Sequence, residues 1–81
     1  MDILIGADPE LFVKQNGELV TGYGLIPGTK AQPHPVKDGA VQVDGMALEF
    51  NITPADSEDG FVFNITSVLT QLRDMVPEHE L

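Results

Sequence analysis

The stretch Val41-Gln42-Val43-Asp44-Gly45-Met46-Ala47-Leu48-Glu49-Phe50-Asn51-Ile52 decides the fold. A β-strand sends successive side chains to opposite faces, so residues of equal parity share a face. Val41 and Val43 are odd, whereas Met46, Leu48, Phe50 and Ile52 are even. One straight strand would point the two sets in opposite directions, so the phase must change between them. Asp44-Gly45 does this as a two-residue hairpin turn that pairs Val43 with Met46 and Val41 with Leu48. A bulge at Gly45 restores the phase equally well.

Toward the C-terminus the period changes after Thr53-Pro54. Phe61, Ile65, Val68, Leu69, Leu72, Met75 and Val76 fall on one stripe of an α-helix. Glu58 and Asp59 suit the positive end of its dipole, Ser57 is the expected N-cap, Arg73 lies near the far end, and Pro77 stops continuation. Thr53 can instead open the helix as a capping box with Pro54 in its first position, but Gly60 inside the helix argues for the later start.

Toward the N-terminus, Asn16-Gly17 is the pair that a type I′ turn requires, and it sets Val13 against Val20 and Gln15 against Glu18. The apolar run before it reaches back to Ile3. Between Gly22 and Gly39, the glycines Gly24 and Gly28 and the prolines Pro27, Pro33 and Pro35 indicate a long loop over 22–39. Loops of this length are commonly lids, binding loops or mobile segments. The expectation is one α+β domain over 1–81. It has a small antiparallel sheet of two hairpins, three or four strands in all, covered on one face by the C-terminal amphipathic helix.

Composition narrows the function. The 81 residues carry 13 Asp and Glu against 4 Lys and Arg, a formal net charge of -9, which repels a phosphate backbone and argues against direct nucleic-acid binding. The chain has no cysteine for disulfides or thiolate metal sites, and two histidines give little scope for zinc. No apolar run approaches a membrane span, and no basic start followed by an apolar stretch marks a signal peptide, so the expected location is the cytoplasm. The N-x-T triplets at Asn51 and Asn64 then read as chance.

Carboxylates gather on the strand faces opposite the apolar ones. Gly6, Asp8 and Glu10 oppose Ile5, Ala7, Leu11 and Val13, while Ala47, Glu49 and Asn51 oppose Met46, Leu48, Phe50 and Ile52. Acids on neighbouring strands suit a hard divalent cation such as Mg²⁺. Acids also line the wet face of many half-exposed antiparallel sheets. Lys30, His34 and Lys37 are the cationic or protonatable groups of the loop and suit an anionic ligand, or simply keep the loop soluble. Gly24 to Lys30 lacks the spacing of a P-loop. Tyr23, flanked by glycines, either folds over a ligand or packs on the hairpin.

Two segments, Ile5-Gly6-Ala7-Asp8-Pro9-Glu10-Leu11-Phe12 and Val41 to Ile52, resemble the N-terminal motifs of a phage-encoded carboxylate–amine ligase family, typified in phiEco32-like phages, with the glutamine synthetase and glutamate–cysteine ligase fold. The resemblance implies Glu10 and Glu49 as metal ligands, with Asp8 as a further ligand or supporting group. It also implies Asn51 as a supporting group and Mg²⁺ and ATP as cofactors, so that Asn51, together with the loop's Lys30 and His34, is an expected cofactor-binding residue. The chemistry it implies is phosphorylation of a carboxylate by ATP followed by attack of an amine. Members of that family are much longer and contribute further acids and arginines, whereas Arg73 is the single arginine here. The chain is therefore expected to be an N-terminal fragment or a stand-alone derivative, inactive alone, with the remainder of a ligase domain as its partner. The alternatives are an acidic phage protein that docks on a basic surface of a host enzyme in an infected bacterial cytoplasm, and a structural or assembly module.

Overall fold

A computed structural model describes residues 4–81 and contains β1 (Glu10–Leu11), β2 (Val13–Gln15), β3 (Glu18–Val20), β4 (His34–Val36), β5 (Gly39–Asp44), β6 (Ala47–Ile52) and α1 (Glu58–Met75). Ile3, the expected start of the apolar run, lies outside the described residues. The architecture is α+β: a four-stranded antiparallel sheet of order β1-β6-β5-β4, a separate two-stranded sheet of β2 and β3, and one C-terminal helix.

The β2–β3 hairpin has the expected register, Val13 opposite Val20 and Gln15 opposite Glu18. Asn16 and Gly17 take the positive φ values, 53° and 81°, that a type I′ turn demands. It does not join the main sheet. The second hairpin turns one residue later than expected. Asp44 pairs with Ala47, Val43 with Leu48 and Val41 with Phe50, so Gly45-Met46 is the turn rather than Asp44-Gly45. Gly45 has φ 62° and Met46 is not in the positive region, the pattern of a type II′ turn with glycine in the first central position. Moving the turn by one residue moves each partner by two, so the apolar residues keep their common face.

The N-terminal run is more broken than a single strand. Phe50 and Ile52 donate to the carbonyls of Pro9 and Ala7 at 3.2 Å, and Ile5 exchanges a pair of bonds with Ala55 at 2.7 and 2.9 Å, so residues 5–11 follow β6. Pro9 has no N–H to return, which leaves the regular ladder confined to Glu10 and Leu11. Inside the segment expected to be loop, β4 pairs with β5. It is the edge strand, the one place where Pro35 can sit without removing a ladder donor.

The helix begins where the sequence indicates. The Ser57 hydroxyl accepts from the Gly60 N–H at 3.0 Å, and the helix ends before Pro77. Val68 and Leu72 are fully buried and join Val13, Val41, Leu48, Phe50 and Ile52 in one core cluster, so α1 packs on β5 and β6. Side chains of this size contribute about 1.5–3 kcal/mol each when fully buried. Gly39 permits the close crossing: a Cβ there would collide with the Asn51 carbonyl and approach Val68 Cγ2 to 2.8 Å. Polar ties pin α1 to the β4–β5 turn. Ser67 donates to Asp38 at 2.7 Å, and the Gln71 amide donates to the Lys37 carbonyl at 2.7 Å. No helix among the described residues is long and apolar enough to cross a membrane.

Candidate metal centre

The face of the sheet opposite α1 gathers the acids. Glu10 on β1 stands directly across from Glu49 on β6. Because Pro9 and Leu11 carry the bonds to β6, Glu10 and Glu49 form a non-hydrogen-bonded pair, the position at which antiparallel side chains come closest. On the other side of β6, Gln42 of β5 faces Glu49 and its amide donates to a Glu49 carboxylate oxygen. Asp44, two residues along β5, shares that face. Glu10, Asp44 and Glu49 each offer one carboxylate oxygen, and these oxygens lie within 4.8 Å of one another.

Electrostatics follow from this crowding. The Glu49 carboxyl is held above the ordinary glutamate range, chiefly by burial and then by the negative charges of Asp44, Asp8 and Glu10, while Lys30 opposes the shift. Lys30 Nζ lies 3.9 Å from Asp44, with most of its side chain in water, so the pair contributes little stability. What brings Lys30 here is the loop before β4. Gly28 accepts from the Val43 N–H at 3.1 Å, and Thr29 bridges Val43 in parallel along the part of β5 that β4 does not reach.

The remaining candidates divide. Asp8 lies outside the three-carboxylate group but within electrostatic reach of Glu49. The ladder sets it opposite Asn51, on the Glu49 face and exposed. His34 pairs with Val41, so its register places it on the helix side of the sheet, away from the carboxylates. Lys37 sits in the β4–β5 turn, where its backbone bonds Gln71. Tyr23 is 78% exposed.

Two members of the site went unread in the sequence. Asp44 was placed in a turn that lies one residue later, and a Gly45-Met46 type II′ turn would have exposed it as a strand residue. Gln42 carried a signal in its parity, opposite Val41 and Val43, yet it is 6% exposed where a polar face suggested water.

The donor set is all carboxylate, with neither histidine nor cysteine, and such oxygens suit Mg²⁺ or Ca²⁺ over zinc or copper. Comparison with protein-family models, curated proteins and solved structures found no match.

Proposed function

We propose that Glu10, Asp44 and Glu49 form part of a divalent-cation site that engages a phosphate-bearing nucleotide, as in carboxylate–amine ligases. The observation that carries this reading is the convergence of three carboxylates from three adjacent strands on one face, where burial first and neighbouring negative charge second raise the Glu49 pKa. A bound cation would relieve that repulsion and offset phosphate charge. Lys30, beside Asp44, is placed to meet an anionic oxygen on the same face. The site is one half of an active centre. Phosphoryl transfer needs positive charge arranged around the phosphates, and Arg73 is exposed near the end of α1, away from this face. The chain alone is therefore expected to bind Mg²⁺ weakly and to leave ATP intact, with the complementary half supplied by the rest of a ligase domain.

Titrating Mn²⁺ by solvent relaxation against the wild type, Glu10→Gln, Asp44→Asn and Glu49→Gln tests this. Weakened binding in all three variants is expected, and an equal response in all four proteins would sink the reading. The same variants report the electrostatics. The raised Glu49 pKa means that the folded state holds this proton more tightly than the unfolded chain. Stability therefore falls as pH rises from the ordinary glutamate value through the raised one. Without cation, Glu49→Gln should melt higher than wild type above that window and no higher below it. Added Mg²⁺ should narrow the gap.

A further inference from the structure

Parity separates the two hydrogen-bonding edges of the N-terminal run. Ala7 and Pro9 turn their carbonyls to β6, where Ile52 and Phe50 donate to them. Asp8 and Glu10 turn their backbone groups the other way, and β1 is the last strand of its sheet. Both residues are exposed, and among the described residues no hydrogen bond reaches their backbone on that side. Pro9 has no N–H, but its nitrogen belongs to the β6 side, so it does not interrupt the outer edge.

Farther along the chain, in the separate β2–β3 sheet, the side of β2 that faces away from β3 is met at Lys14. The Lys14 N–H donates to the Glu80 carbonyl and the Glu80 N–H donates to the Lys14 carbonyl, each at 2.8 Å, in an antiparallel bridge. The free side of β2 thus carries a single-residue bridge, whereas the outer side of β1 carries no bond among the described residues.

We propose that the open edge at Asp8 and Glu10 receives an antiparallel strand from another protein, with lysine or arginine at alternate positions. Backbone pairing would supply the affinity and the acids the selectivity. Charge decides the occupant. A strand laid beside β1 places every second side chain next to Asp8 and Glu10, on a face that also holds Asp44 and Glu49, and cationic side chains are favoured at cross-strand positions opposite acids. A second copy of this chain fits poorly, because two β1 edges would set acids against acids, each chain bearing a net charge of -9. Charged edges of this kind discourage self-pairing.

A six-residue peptide alternating lysine and valine is the probe, titrated into isotope-labelled protein and followed by amide NMR and hydrogen exchange. The expected result is shift changes and new exchange protection at the Asp8 and Glu10 amides, with weaker binding to Glu10→Lys. A peptide of the same sequence and charge, N-methylated on the alternate residues whose amides would face β1, should bind roughly tenfold more weakly, the scale of two lost hydrogen bonds. Equal binding by the methylated peptide would overturn the proposal, as would shifts spread over the acidic face without protection at Asp8 and Glu10. Dimerisation through this edge, seen by sedimentation when salt screens the charge, would overturn it in favour of a second copy.

Discussion

The β2–β3 and β5–β6 hairpins each turn at a glycine that follows an Asn or Asp, yet the glycine has a different job in each. In β2–β3, Asn16 and Gly17 are both central residues with positive φ. In β5–β6, Asp44 stays in the strand, Gly45 is the first central residue, and Met46 is the second. Asn tolerates the left-handed region well, so the first turn is fixed by its own residues. Asp-Gly permits either solution, and the shift between them keeps every apolar side chain on the same face. Long-range packing must therefore choose, and β6, central in the sheet and covered by α1, sends Leu48, Phe50 and Ile52 into the core cluster.

The sharpest test of this contrast is core truncation. Leu48, fully buried on β6, should cost about 2–5 kcal/mol when changed to alanine, whereas Leu19 on β3, 59% exposed, should cost no more than about 0.5 kcal/mol, both read from urea unfolding. Equal costs would mean that the two hairpins share the core evenly. Next in size, alanine at Gly17 or at Gly45 should each cost about 1–2 kcal/mol, because both hold positive φ. A harmless Gly45→Ala would break the type II′ assignment. The smallest effect belongs to Met46→Ser. As a half-exposed turn residue it should change stability by no more than about 0.5 kcal/mol, while a loss near 2 kcal/mol would restore the register that pairs Met46 with Val43.

What the sequence disclosed follows the range of the interaction concerned. The Ser57 cap, the helix stripe and the Asn16-Gly17 turn depend on neighbours a few residues away, and each is where its residues indicate. The edge strand β4 was hidden because proline argues against a strand unless an edge is available, and only the assembled sheet supplies one. Glu10 and Glu49 could be placed on polar faces by parity, but their direct opposition needed the pairing of β1 with β6. Asp44 was lost with the turn. His34 was read as part of the loop, and only its pairing with Val41 assigns it to the other face.

The strand order carries a consequence for how the acidic site assembles. The β5–β6 hairpin closes locally, so Gln42, Asp44 and Glu49 come together early at little entropic cost. Glu10 arrives only when β1 closes a loop of about 40 residues onto β6, a slower event that rewards the chain late. The reverse motion, peeling β1 away, would part Glu10 from Glu49 while leaving the hairpin and helix in place. The amides of Phe50 and Ile52, which donate to Pro9 and Ala7, report that opening by their exchange rates. A cation shared between the two glutamates would slow both amides together, so occupancy of the site would be written into the breathing of its outermost strand.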